Sequence, residues 1–275
     1  MNIIIGIDIG GSTTKIVGYT PDKKNIGMLK VKASDQVTCM YGALGSFLNT
    51  YHLSLHDIKK IVLTGVGASF VNEDIYHIPT VKIAEMKAIG QGGLMIANLK
   101  EAYVVSMGTG TAFVRASESG IEHIGGSGVG GGTLFGLSKG LLQESDITVV
   151  SKIAADGDLS NVDLLIEDIF CGDVPSLPLE LTASNFGKMK SGASHSDIAA
   201  ALFNLVFQTI GMLSVFACRN DSVKDIVLVG SLAELPEAGQ IFATMSRLYG
   251  VNFIIPEEAV FATAIGAVIP YLIEQ

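Results

Sequence analysis

Two short turns of small and hydroxyl-bearing residues, each following an apolar β-branched run, carry the most chemical promise in the chain. The first reads Asp8, Gly10, Gly11, Ser12, Thr13, Thr14 and Lys15, and the second Gly108, Thr109, Gly110 and Thr111. Such a turn lines up backbone N–H groups, adds hydroxyl donors and has no side-chain bulk in the way, so it can wrap a phosphate. Taken singly, either is an ordinary hairpin. Two at equivalent places in a repeated pattern point to the two halves of one phosphate clamp. A third small-residue stretch, Gly125 to Thr133, runs through Gly131, Gly132 and Thr133 into Leu134 and Phe135. It precedes a helix, whose N-terminal N–H groups would suit an anion, although so dense a glycine run also reads as a linker. Gly230 and Ser231 form a fourth turn, either a place for an adenosine to pack or a plain turn. Neither a Walker-type loop nor a dinucleotide-binding glycine motif fits.

The elements that must hold these turns repeat. Asn2–Ile9, Lys15–Tyr19 and Gly27–Val31 read as three strands in a meander, followed by a helix over Asp35–Tyr51, a strand over Ile58–Leu63 and a helix over Ile83–Leu99. Near residue 102 the pattern restarts with strands at Ala102–Met107, Ala112–Ala116 and Ile121–Ile124. Helices over Gly132–Leu142, Ile147–Ala155 and His195–Asn220 follow. After them come a strand at Ile226–Val229, a helix at Pro236–Leu248, a strand at Val251–Ile255 and a last helix at Glu258–Ile273. The reading is an α/β protein of two copies of one domain, residues 1–100 and 101–275, each a mixed sheet flanked by helices. The last helix is expected to pack back on the first domain.

Composition narrows the partners. Lys and Arg number 18 against 27 Asp and Glu, a net charge of −9, which leaves little to build a basic face for nucleic acid. Hydrophobic residues make up 48% and charged residues 16%, enough for a large core. Ala199–Cys218 is the longest apolar segment, but Asn204, Gln208, Thr209 and Ser214 interrupt it, so it reads as a buried helix and no membrane contact is expected. The N-terminus lacks a basic flank and a cleavage pattern, and the expected location is the cytoplasm. Cys39, Cys171 and Cys218 are widely spaced and read as reduced thiols.

The first turn within IGIDIGGSTTK and the second within SMGTGT resemble those of the superfamily of acetate and sugar kinases, heat-shock chaperones and actin, whose ribonuclease-H-like ATPase domain is duplicated. With AEMKAIGQG (Ala84 to Gly92), HIGGSGVGGGT (His123 to Thr133), LTASNFG (Leu181 to Gly187), LVGS (Leu228 to Ser231) and FATAIGA (Phe261 to Ala267), the chain resembles the bacterial type II pantothenate kinases over nearly its whole length. That resemblance implies ATP- and Mg²⁺-dependent phosphorylation of pantothenate in a homodimer. It implies that Asp8 to Lys15 line the phosphates with Asp8 near Mg²⁺. Thr109 would contact phosphate, Gly131 to Phe135 the nucleotide and Ser231 the adenine side. It also aligns Glu85 with the catalytic base, where residue types alone give a surface glutamate between Lys82 and Lys87. Two positions depart from the family pattern: His123 replaces an arginine before the glycine run, and Ala112 replaces a hydroxyl after the second turn. Arg115 is the expected substitute for that arginine, with His123 the other candidate for contacting substrate. A kinase of the same fold for pantetheine or a sugar, and a nucleotide-binding relative without turnover, are the competing readings. An iron–sulfur activator of 2-hydroxyacyl-CoA dehydratases shares the first turn, but no cysteine here lies at a glycine-rich turn.

Overall fold

The computed structural model of the chain describes residues 2–32, 35–170 and 178–272. Cys171 and the expected end of the last helix at Ile273 lie outside them. Strands β1 (Ile3–Ile9), β2 (Thr13–Tyr19) and β3 (Asn25–Lys32) form an antiparallel meander, and β4 (Ile58–Thr64) and β5 (Thr80–Lys82) add in parallel beside β1, giving the order β3-β2-β1-β4-β5. Strands β6 (Glu101–Met107), β7 (Thr111–Ser117) and β8 (Gly120–Ser127) form a second meander. With β11 (Asp225–Val229) and β12 (Asn252–Ile254) they make a second sheet, β8-β7-β6-β11-β12. The two orders are the same, so the repeat read from the two turns extends to both sheets. A small two-stranded ribbon, β9 (Leu164–Leu165) with β10 (Thr182–Ser184), is inserted in the second half.

Central strands such as β1 are buried along their whole length, which is why Ile3–Ile9 reads as a continuous apolar run rather than an alternating one. On one face of the first sheet lies α1 (Gln36–Thr50). Asp35 caps it by accepting from the Thr38 N–H at 2.7 Å, and Met40, Ala43, Leu44 and Phe47 form its buried stripe. In the second half, α3 (Gly131–Leu142), α4 (Ile147–Ala154), α6 (His195–Ala217) and α7 (Pro236–Tyr249) build the largest core against Tyr103, Val105, Met107 and Phe113, while α5 (Ile166–Ile169) sits beside β9. The apolar helix α6 is long enough to cross a membrane by length and composition, yet it runs through this core with Phe203, Phe207 and Ile210 fully buried.

Two helices tie the halves together. Helix α2 (Glu85–Ala97) follows the first sheet but packs on the second, with Ile89 against Val104, Val114 and Val227. Helix α8 (Ala262–Val268) follows the second sheet but packs on the first, with Ala264, Ile265 and Val268 among Ile4, Val17 and Val62. They cross at Gly92 and Gly266, where a Cβ on Gly92 would lie 1.8 Å from the Ala262 carbonyl oxygen and one on Gly266 1.8 Å from that of Ala88. Only glycine at both places lets the backbones touch. The expected single helix over Glu258–Ile273 is three pieces, a 3₁₀ turn at Ala259–Phe261, α8, and a 3₁₀ turn at Ile269–Tyr271; the second break falls at Pro270, which cannot continue the α-helical bonding.

Candidate active site

Asp8 lies at the end of β1, opposite Lys15 on β2 and Thr64 on β4. Registered pairs share a face of a sheet, so all three side chains point to the side covered by α2 and α8. Asp8 and Lys15 are buried, and Lys15 Nζ donates to Asp8 Oδ2 at 3.1 Å. Thr64 Oγ1 is also buried and has no partner among the described residues. After Thr64 the chain turns at Gly65 with φ of 84°, and a Cβ there would come within 2.5 Å of Asp8 Oδ1. The second half repeats the device at Gly230, with φ of 94°, after β11. Strand β5 was not foreseen, nor were Thr64 and Gly65 as part of the site. The signal available was the Thr-Gly pair closing a buried strand, a match for the Gly230 turn.

Glu85 is the first residue of α2, and Ala84 before it offers no side-chain cap. The helix start brings Glu85 to the cleft, half-buried, where burial first and then the negative charge of Asp8 raise its carboxyl above the ordinary glutamate range; Lys15 acts in the opposite direction. Thus Glu85, Asp8 and Lys15 feel one another's charge, and no ion pair joins Glu85 to Lys82 or Lys87 among the described residues. A half-buried carboxylate with a raised proton affinity, at the edge of a phosphate-sized turn, has the properties of a general base.

The two turns face each other. A Cβ on Gly11 would touch Thr109 Oγ1 at 3.4 Å, and Gly11, Ser12 and Thr109 are exposed while Gly10 and Thr13 are half-buried. Thr14 departs from the expected lining: it is registered with Ile9 and Val31 on the α1 side, fully buried, because alternation sends it away from Lys15. The start of α3 also differs from the expected anion seat. Its Gly131 and Gly132 N–H groups already donate to the carbonyls of Gly108 and Thr109 at 2.9 and 2.8 Å, so this helix end braces the second turn. Thr133 Oγ1 donates to the Gly128 carbonyl at 3.0 Å, Leu134 is core, and Phe135 is 48% exposed, which leaves Phe135 as the ring available to a ligand. Ser231 is half-buried at the start of a 3₁₀ turn over Ser231–Glu234.

Arg115 corrects another expectation. It lies on the α6 side of β7, where its Nε donates to Asp221 at 2.8 Å, its Nη2 to Glu101 at 2.9 Å and its guanidinium packs over Tyr103. It does not reach the Glu85 side of the sheet. A bulge between Phe113 and Val114 registers His123 with Val114, which packs toward α2, so His123 is exposed on that side. It lines a cavity of about 1560 Å³ together with Ala84, Met86, Lys87 and Gln91 of the α2 region and Pro270. The LTASNFG segment is explained by Asp163, a fully buried carboxylate that accepts from Thr182, Asn185, the Phe186 N–H and Asn204. That network pins the segment to α6; its role is architectural.

A family model described as Fumble matches residues 100–251, more than half of the chain. The chain belongs to the Fumble family. Among curated proteins, this Fumble protein is 28% identical over 273 residues to a type II pantothenate kinase of Staphylococcus aureus strain USA300, spanning 96% of this chain and 97% of that one. The same identity and coverage hold for the type II pantothenate kinase of strain NCTC 8325 / PS 47. Among solved structures, an activator of the 2-hydroxyisocaproyl-CoA dehydratase from Clostridium difficile with bound ADPNP matches with a TM-score of 0.71 at 17% identity, over 98% of this chain and 94% of that one. A ROK family protein from Streptococcus pneumoniae TIGR4 in complex with sucrose matches at 0.59 and 13% identity, over 98% of each chain. At such identities these structures establish the fold: the Fumble chain has the duplicated actin-like ATPase architecture expected from its turns.

Proposed function

We propose that the protein is a pantothenate kinase that transfers the γ-phosphoryl group of ATP to the primary hydroxyl of pantothenate. The observation that carries this reading is the convergence of Glu85, Asp8 and Lys15 from three elements at the mouth of two opposed phosphate-sized turns. Phosphoryl transfer asks the protein mainly for positioning, charge neutralisation and a base. Gly10 to Thr13 and the Gly108–Thr109 turn supply N–H and hydroxyl donors to the phosphates from opposite sides, and Lys15 supplies the cation. Ser231 and Phe135 flank the nucleoside end.

Glu85 accepts the hydroxyl proton as the substrate oxygen attacks the γ-phosphorus. The bond from that phosphorus to the β–γ bridging oxygen breaks, and ADP leaves with the electron pair. The residues present fit Mg²⁺: Asp8 would supply its carboxylate, and the orphaned Thr64 hydroxyl is registered on the same side. When bound, Mg²⁺ supplies charge neutralisation at the β- and γ-phosphates. A homodimer in the cytoplasm completes the reading, as the family resemblance implies.

The test is ADP formation by the purified protein with ATP and Mg²⁺, supplied with pantothenate, pantetheine or a sugar in parallel. Pantothenate-dependent ADP release, with one phosphoryl group added to pantothenate by mass, is the expected result. Turnover with a sugar alone, or with none of the three, would overturn the reading.

A further inference from the structure

The first sheet carries a second lysine on the face that holds Asp8 and Lys15. Lys30 of β3 is registered opposite Lys15 of β2, which is opposite Asp8 of β1, so Lys30, Lys15, Asp8 and Thr64 form one row across the sheet on the side of α2 and α8. Opposite residues of an antiparallel pair stand about 5 Å apart at Cα, which puts Lys30 one strand outward from the cation beside the first phosphate turn. Its ammonium is committed to the other half of the molecule. Lys30 Nζ donates to Glu234 Oε1, the last residue of the 3₁₀ turn that Ser231 begins. Lys32, two residues on along the same face, donates at 3.2 Å to Asp146, the N-cap of α4. The two pairs differ in shielding. The side chains of Lys30 and Glu234 are 32% and 48% exposed, whereas Lys32 is 89% exposed, so water and salt weaken the Lys30 pair less.

We infer that Lys30 and Glu234 are nucleotide-positioning residues: their ion pair straps the first sheet to the Ser231 turn, holds the cleft closed on bound nucleotide and slows the departure of ADP. This rests on the reading of the two opposed turns as a nucleotide clamp. The phosphates then lie against Gly10 to Thr13 of the first half and the nucleoside end against Ser231 of the second, so the nucleotide leaves when the halves part. Parting breaks the pair, because its members come one from each half. The α2–α8 crossing, where backbones touch at Gly92 and Gly266, is a packed joint between the halves. Lys30 and Glu234 add a second attachment, made of two side chains on an edge strand and a turn. Such a partly exposed pair contributes little to the fold, and what it contributes falls on the closed state alone. Neither group reaches the reacting atoms. They act through the position of the two nucleotide turns.

The experiment follows release of ADP carrying a fluorescent N-methylanthraniloyl group, chased with excess ADP in stopped flow. It compares wild type, Lys30→Met, Glu234→Gln, the two combined, the charge-exchanged Lys30→Glu with Glu234→Lys, and Lys32→Met. Each single variant of the Lys30 pair is expected to speed release about two- to five-fold at low salt, with the melting temperature nearly unchanged. The combined variant is expected to be no faster than either single one, and the exchanged pair to return toward the wild-type rate. Added salt should speed release from wild type and leave the combined variant's rate nearly constant. Lys32→Met should change release less than Lys30→Met. Release unchanged in both single variants, additive effects in the combined one, or a larger effect from Lys32→Met would overturn the inference while leaving the kinase reading standing. A wild type that does not bind the labelled ADP would instead remove the nucleotide clamp itself.

Discussion

Lys15 and Asp8 form a buried ion pair at 3.1 Å, on neighbouring strands and on the face that looks toward Glu85. Each is under a tenth exposed, so the pair is held away from screening water and its geometry is fixed by the register of β1 and β2. Removing the cation would strand a carboxylate in that site. Lys15→Met is therefore expected to cost about 3–5 kcal/mol in denaturant unfolding. The same variant loses ATP affinity, because its ammonium is the cation beside the first phosphate turn. Chemical unfolding together with nucleotide titration reads both. A variant of unchanged stability would show that water reaches Asp8 freely.

Gly65 is required for two reasons at once. Its φ of 84° lies in the region side chains avoid, and its missing Cβ leaves room for Asp8 Oδ1. Gly65→Ala should cost about 1–3 kcal/mol from backbone strain. It should also lower kcat, since Asp8 must move. Thermal unfolding and steady-state rates check the two effects separately.

The crossing of α2 and α8 predicts a different outcome. At 1.8 Å from a backbone carbonyl, a methyl group on Gly92 can be admitted only if the helices separate. Gly92→Ala and Gly266→Ala are each expected to destabilise by about 1–3 kcal/mol as overpacked sites. Because both wedge the same contact, the double variant should lose less than the sum of the singles. Full additivity in unfolding experiments would mean that the two positions do not share one contact.

Much of this was legible in the residues, and the reasons are local. The continuous apolar run of β1 and the Gly-Gly-Ser and Gly-Thr-Gly turns announce a strand, a tight turn and a strand in both halves; the expected lining nevertheless took in both Thr14 and Lys15, which alternation along β2 sends to opposite faces. What the sequence concealed depended on distance. Glu85 is named as a base only through the family resemblance, and residue types alone give a surface glutamate there, because α2, after the first sheet, packs across onto the second and no local pattern says so. Arg115 looked available from its place on the strand after the second turn, yet its partners Glu101 and Asp221 come from 14 residues before it and 106 after it. Cross-cleft ion pairs, Lys30 with Glu234 and Lys32 with Asp146, were likewise invisible, since they join the first meander to loops of the second half. The start of α3 was read correctly as a helix N-terminus. Its N–H groups were already committed to the turn it follows, which only the folded chain reveals.

Arg115 offers a check on that correction by stability. Arg115→Met leaves Asp221 and Glu101 without their guanidinium, and Asp221 loses the hydrogen bond that holds its carboxyl far below the usual range. The stabilisation tied to Asp221 is present above its unfolded pKa and is lost as pH falls. The variant should therefore unfold more easily than wild type near neutral pH, and the gap should narrow in acid. Parallel thermal melts across pH 3 to about 7 measure it. A gap that widens in acid would contradict the assignment.

The base is the centre of the account, and its titration is the most direct test. Glu85 must be ionised to accept a proton, and its carboxyl is raised above the ordinary glutamate range, so kcat/KM should rise with pH along an acidic limb displaced upward from that range. Glu85→Gln cannot accept the proton. The pH profile of ADP release by wild type and Glu85→Gln, with pantothenate and saturating ATP, decides the matter. The account predicts a loss of about 10²–10⁴-fold in the variant, together with disappearance of the acidic limb. A variant that keeps most of its rate, or a wild-type limb that survives the substitution, would contradict it.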